Sequence, residues 1–155
     1  MLAAPAYAAP VPRFDHVVII MLENHSDLSI VGNPNAPQIT RLAFENAYGS
    51  AYYGVTHPSL PNYVAITSGN NWYSNSDDPT QRFDHRNIVD QLEEHGITWK
   101  AYMQAMPTAG FTGNFSPAAD PALALYVIRH DPFMLYKDVG SNPARRSHIV
   151  PLETL

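Results

Sequence analysis

Asp15-His16-Val17-Val18-Ile19-Ile20-Met21-Leu22 is a near-continuous apolar, largely β-branched run with no polar alternation. Such a run predicts a strand buried on both faces, as in a parallel sheet, because a strand with one wet face alternates instead. Four polar residues follow at once: Glu23, Asn24, His25 and Ser26. In open α/β sheets the ligand crevice lies outside the carboxyl ends of the strands, so this order points first at Glu23 and Asn24. A carboxylate with an amide oxygen beside it offers a hard cation two oxygen donors; the same pair also serves as an ordinary polar loop start.

Working outward, the pattern alternates. Pro37 to Asn46 predicts a helix: proline opens it, Ile39, Leu42 and Ala43 share a face, and Gly49 stops the pattern. Ser50 to Val55 reads as a short strand. Pro61 to Ser68 predicts a second helix, with proline in the first turn and Gly69 as its C-cap. Residues 70–86 are polar loop, Asn87 to His95 repeats the helical logic, and Ile97 to Met103 is the next strand. Residues 104–122 form a Pro/Gly/Thr-rich excursion, in which Phe111 and Phe115 either meet a leaving group or pack the loop. Ala122 to Arg129 reads as helical, and the chain is irregular from there to Val150. Strand–helix alternation of this kind predicts an α/β layered domain, helices flanking a largely parallel sheet.

Composition narrows the function classes. At 155 residues and 17.2 kDa the chain is long enough for one domain with one core. Apolar residues at 45% and charged residues at 15% describe a globular protein rather than a disordered or fibrous one. A net charge of −5 lacks the footprint of a nucleic-acid binder, and Tyr52, Tyr53 and Trp72 occur without interleaved Lys or Arg. Zero cysteines exclude thiolate metal sites and cysteine nucleophiles, and fourteen prolines argue against long helices. The longest apolar run, Val17 to Leu22, is too short for a transmembrane segment. Residues 1–13 read as an Ala/Pro leader or the remnant of a signal peptide, since Ala6-Tyr7-Ala8 fits the small-x-small pattern before a signal-peptidase cut. That reading places the protein outside the cytoplasm, secreted or periplasmic, with residues 14–155 as its domain.

The segment Thr56-His57-Pro58-Ser59-Leu60-Pro61-Asn62-Tyr63 carries the strongest chemical signal. Ser59 stands at or just before a helix N-terminus, where free N–H groups and the positive dipole end favour an anion. It is either the N-cap or a nucleophile. Prolines on both sides fix the backbone, a rigidity that suits a nucleophile more than a cap. Gly-x-Ser-x-Gly is absent, and no carboxylate is placed to orient His57 as a base. A serine without an obvious base is activated instead by a metal that lowers its pKa.

Four stretches together are similar to a known family: Asp15–Ser26, Ala36–Gly69, Asn87–Pro107, and IRHDPFMLYKDV with HIVPLETL after it. On these the chain resembles the acid phosphatase / phospholipase C-like phosphoesterase family of the alkaline-phosphatase superfamily. Ser-Leu-Pro-Asn-Tyr beside the Thr67-Ser68-Gly69 helix end is the most specific piece. The resemblance implies an alkaline-phosphatase-like three-layer sandwich around a largely parallel sheet, present here in its N-terminal part. It implies metal-dependent hydrolysis of phosphate esters through a phosphoserine intermediate. Glu23, Asn24 and Ser59 are then the ligands of a divalent metal ion, and Ser59 is also the catalytic nucleophile. Asn62, His57 and His130 are implied at the substrate side, Asn62 orienting either the helix start or a phosphate oxygen. From position alone, Asn75 or Asp78 also faces the phosphate. The implied substrate is a small phosphate ester or a phospholipid headgroup. Complete members of the family run well beyond this length and draw further Asp and His ligands from later strands. The alternatives are a phospholipase C-type phosphodiesterase, a sulfatase-like esterase, or a non-catalytic truncated module of the same fold.

Overall fold

Short-range signals shape most of the regular elements. The computed structural model describes residues 12–117 and 120–155, so the expected leader lies outside the described residues except for 12 and 13. The chain divides into two compact units, Met1–Tyr52 and Tyr53–Leu155.

In the first unit, helix α1 (Asp27–Ile30) is a single turn and α2 spans Pro37–Glu45 with proline in its first turn. The second of these is the helix expected from the Ile39/Leu42/Ala43 face. The two are tied locally, since Gly32 N–H donates to Thr40 Oγ1 at 3.0 Å. Tyr48 donates its hydroxyl to Asp27 Oδ2 at 2.6 Å, and that bond holds the Asp27 carboxyl below its ordinary pKa. The strand expected over Asp15–Leu22 is not formed: the stretch carries no regular structure and its side chains are exposed, Val17 at 74% and Ile20 at 78%. A strand exists only where a neighbour takes up its N–H and C=O groups, and no described residue of this unit belongs to a strand. Ser50–Val55 is likewise not a strand; Tyr52 N–H instead closes a turn onto Gly49 O at 3.2 Å.

The second unit holds the buried core. Helix α3 covers Ser59–Ser68 and buries Leu60 and Val64. It ends as expected at Gly69, whose φ of 74° is the left-handed conformation that a residue without Cβ adopts at no steric cost. Helix α4 (Ile88–Glu94) opens on a capping box, with Val89 N–H donating to Asn87 Oδ1 at 2.9 Å and Asn87 N–H to Asp90 Oδ2 at 3.0 Å. Strand β1 is Ala101–Met103, the end of the stretch expected from Ile97. Strands β2 (Phe115–Ser116) and β3 (Tyr126–Val127) form an antiparallel pair inside the Pro/Gly-rich excursion and beyond it. The helix expected over Ala122–Arg129 is therefore corrected to 3-10 turns at Pro121–Leu123 and Ile128–His130 with β3 between them.

A further 3-10 turn at Pro132–Leu135 leads to the short helices α5 (Lys137–Gly140) and α6 (Pro143–Arg146). Strand β4 (Ile149–Pro151) then pairs in parallel with β1, Ala101 opposite Ile149 and Tyr102 opposite Val150. The expectation of irregular chain up to Val150 misses these elements, because a short parallel strand is specified by a partner far away in sequence. Thus the α/β class holds: helices accompany a small parallel sheet and a small antiparallel one. Tyr136 ties the core together, fully buried, with its hydroxyl donating to Val64 O at 3.1 Å and 2.8 Å from Thr67 Oγ1. Arg145, 19% exposed, engages Asp90, Glu93 and Asp138 at once and so joins α4 to α5 and α6.

Candidate functional site

Ser59 is the first residue of α3, and the preceding Pro58 occupies the N-cap position. Proline offers no capping side chain. Among the described residues the Ser59 hydroxyl makes no hydrogen bond, so it does not serve as the cap. The ordinary use of a serine at this place is thus absent, and its Oγ is left for other chemistry.

The loop before Ser59 is held by one side chain. Asn62 Oδ1 accepts from Val55 N–H at 2.9 Å and from Thr56 N–H at 3.2 Å. Its Nδ2 donates to Thr56 O at 2.7 Å and to Pro58 O at 2.8 Å. A single amide therefore satisfies four backbone groups of the 55–58 segment from one turn inside the helix. Of the two groups that Asn62 is expected to orient, the helix start or a phosphate oxygen, these bonds engage the backbone that leads into the helix start. Gly54 belongs to the same arrangement: a Cβ there would come within 2.9 Å of Asn62 Oδ1. His57, exposed, sits on this loop, and its carbonyl accepts from Thr56 Oγ1 at 3.4 Å.

α3 is capped from a distance by Asp77, in the loop beyond its C-terminal end. Leu60 N–H donates to Asp77 Oδ1 at 2.9 Å, across 17 positions. The other oxygen, Asp77 Oδ2, lies 3.7 Å from Arg129 Nε. Asp78, favoured by position, is used locally instead: its Oδ1 accepts from Thr80 N–H at 2.8 Å and from Thr80 Oγ1 at 2.6 Å. Those bonds hold the Asp78 carboxyl below its ordinary pKa. Asn75 is exposed. The only sequence cue to Asp77 was an acidic pair in the loop after the helix, which does not say which member turns back.

The 3-10 turn Ile128–His130 packs on α3 and brings His130 to it. The His130 ring lies 5.4 Å from that of Tyr63, one helical turn beyond Ser59. Asp131, next in the chain, is fully buried and accepts from Tyr126 Oη at 3.0 Å and from Met134 N–H at 3.4 Å. Burial pushes its carboxyl up to about 7, against the smaller opposing pull of the Tyr126 hydroxyl and the Met134 and Phe133 N–H groups. Phe111 packs edge-on against Tyr126 at 5.6 Å, so the structure uses it for packing.

His57, Ser59 and Asn62 thus share one loop–helix junction, and His130 joins the same helix. Glu23 and Asn24 belong to the other compact unit, in exposed chain where Asn24 adopts a left-handed φ of 65°, a conformation asparagine tolerates well. A carboxylate, an amide oxygen and a hydroxyl are all hard oxygen donors, so in type they fit a cation of the magnesium–calcium class. In number they fall short of six, and among the described residues no group of three or more His, Asp or Glu side chains is gathered to hold a metal ion.

Known proteins match this same stretch of chain. The model of the family described as Phosphoesterase family matches residues 32–145. A phosphatidylinositol-3-phosphatase of Mycobacterium tuberculosis is 35% identical over 106 residues, covering 68% of this chain and 36% of that protein. A probable acid phosphatase of Kluyveromyces lactis is 34% identical over 143 residues, 90% of this chain and 33% of the other. A phosphate-repressible acid phosphatase of Penicillium chrysogenum is 31% identical over 137 residues, 88% and 32% respectively. The chain therefore spans about a third of the length of these curated relatives. No solved structure matches it. With the family model covering most of the chain and relatives at this identity along it, the chain belongs to the phosphoesterase family.

Proposed function

We propose that this chain contributes the nucleophile end of a phosphoric ester hydrolase acting on phosphomonoesters. The observation that carries the reading is Ser59 itself: a hydroxyl at the start of a helix, not used as a cap, on a loop fixed by Asn62. The three relatives above are all named phosphatases, which favours a monoester over a diester as substrate. Lipid headgroup phosphates fall within that class, in keeping with the name of the mycobacterial relative.

In the proposed reaction Ser59 Oγ releases its proton to solvent and attacks phosphorus in line, forming a serine–phosphate bond as the bond to the leaving alcohol breaks. The alcohol leaves with a proton taken from solvent. Water then adds from the opposite face, releasing inorganic phosphate and restoring the hydroxyl. Asn62 holds the attacking residue's loop, and His57 and His130, the latter packed on Tyr63 of α3, are proposed to face the substrate. Positioning and charge neutralisation are the protein's main work in such a transfer. Glu23 and Asn24 are proposed as oxygen donors to a divalent metal ion, and Ser59 likewise; such an ion when bound neutralises charge on a serine oxygen and a phosphoryl group. The wider frame of this proposal is an alkaline-phosphatase-like three-layer sandwich in a secreted or periplasmic protein, with which the β1–β4 parallel pair is compatible.

The test is chemical trapping. The protein is quenched in acid during turnover of an aryl phosphate, and mass spectrometry is expected to find phosphate on Ser59. Ser59→Ala is expected to abolish both the adduct and turnover. Full activity in the Ser59→Ala protein would remove the proposal, and a panel of monoester, diester and sulfate ester substrates assigns the ester class.

A further inference from the structure

We propose that Asp77 and Arg129 form a charge clamp at the nucleophile end of α3, with Arg129 binding the substrate's phosphate and Asp77 as the positioning residue for both. The inference rests on the reading of Ser59 as nucleophile, and deepens it. It starts from an electrostatic difficulty. The carboxylate of Asp77 accepts from the peptide N–H directly after Ser59, so an acidic group stands beside the place where a phosphate must arrive. Like charges at such range oppose substrate binding unless a cation intervenes.

Arg129 is that cation. Its Nε faces Asp77 Oδ2 at 3.7 Å, and its side chain is 42% exposed. Among the described residues its two terminal nitrogens have no acceptor, in contrast to Arg145 with three carboxylates and Arg86 with Glu94. A guanidinium held along one edge presents the other edge as a fork, the geometry that suits two oxygens of a phosphate. The turn that carries it also carries His130, which packs on Tyr63 of α3, so Arg129 is tied to the nucleophile's helix through both its neighbour and Asp77.

Asp77 then acts twice through one carboxylate. One oxygen caps the helix that begins at Ser59, and the other orients the arginine. A surface ion pair with no functional role predicts something different, namely a small change in stability and none in anion affinity.

The experiment measures inorganic phosphate binding to the full chain by calorimetry, together with the melting temperature. Arg129→Ala is expected to weaken phosphate binding about ten- to hundredfold with an unchanged melting temperature, as for loss of a charge-assisted pair. Arg129→Lys is expected to recover part of that loss. Asp77→Ala is expected to weaken phosphate binding as well, the lost orientation of Arg129 outweighing the repulsion removed with the carboxylate, and the double variant to bind no more weakly than Arg129→Ala alone. Wild-type affinity in Arg129→Ala, multiplied penalties in the double variant, or no phosphate binding by the unaltered chain would each overturn the clamp. Ser59→Ala carried in parallel keeps the two ideas apart. Arg129-dependent phosphate binding in that variant supports the clamp, while the phosphoserine measurement alone decides the nucleophile.

Discussion

Replacing Asn62 by alanine removes one amide and leaves four backbone groups of the 55–58 segment without their partners. Each such bond contributes about 0.5–1.5 kcal/mol net. The site is half-buried, so water reaches part of what is exposed and the four do not sum in full. A loss of about 2–4 kcal/mol follows, within the range of a broken side-chain network. For a chain of this size that corresponds to a fall of roughly 5–15 °C in melting temperature. Urea unfolding followed by far-UV circular dichroism reads the free energy directly, and a calorimetric scan reads the temperature. Asn62→Asp sharpens the test. It keeps both acceptors for Val55 and Thr56 N–H but turns a carboxylate oxygen toward the Thr56 and Pro58 carbonyls, at 2.7 and 2.8 Å in the native geometry. At neutral pH it is expected to destabilise at least as much as alanine. If Asn62→Ala unfolds within about 0.5 kcal/mol of wild type, the ordinary scatter of surface substitutions, the loop is not held by this side chain and the orienting role assigned to it falls.

Gly54→Ala drives a Cβ to 2.9 Å from the same amide oxygen, which four hydrogen bonds keep from moving aside, and a loss of about 1–3 kcal/mol is expected in urea melts. Asp131 offers a pH signature: its carboxyl is raised from the ordinary 3.8 to about 7 by burial, so the native state keeps a proton the unfolded state has released. Stability is then highest below about pH 4 with respect to this group and falls as pH rises toward 7, by up to about 4 kcal/mol. Asp131→Asn, which mimics the neutral form, is expected to flatten that slope when unfolding is measured at pH 4.5 and pH 7; an unchanged slope would show that Asp131 does not cause it. Glu23→Ala is expected to weaken divalent-ion binding at least tenfold in a calorimetric titration with magnesium or calcium, and equal affinity in wild type and variant would remove Glu23 from the ligand set.

Much of what is local in this protein was legible in its residues. The stretch from Pro37 and the one ending at Gly69 form the helices their periodicity and caps announce, and Asn87 caps α4. Helical hydrogen bonds join residues four apart, and caps use side chains within a turn of the end, so a short window of chain contains the whole instruction. Ser59 at a helix start follows from the same kind of signal.

Tertiary structure decided the rest. Ile149–Pro151 became a strand only because Ala101–Met103 lay parallel to it, and Asp15–Leu22, apolar enough for a buried strand, is not one among the described residues. The cap of α3 came from Asp77, and with it came Arg129, neither of which any spacing near Ser59 foretells. Residue type along the chain determines what a segment is able to form locally. A strand's partner and a carboxylate reaching back across a loop depend on which distant segments folding brings together, and no short window of sequence carries that information.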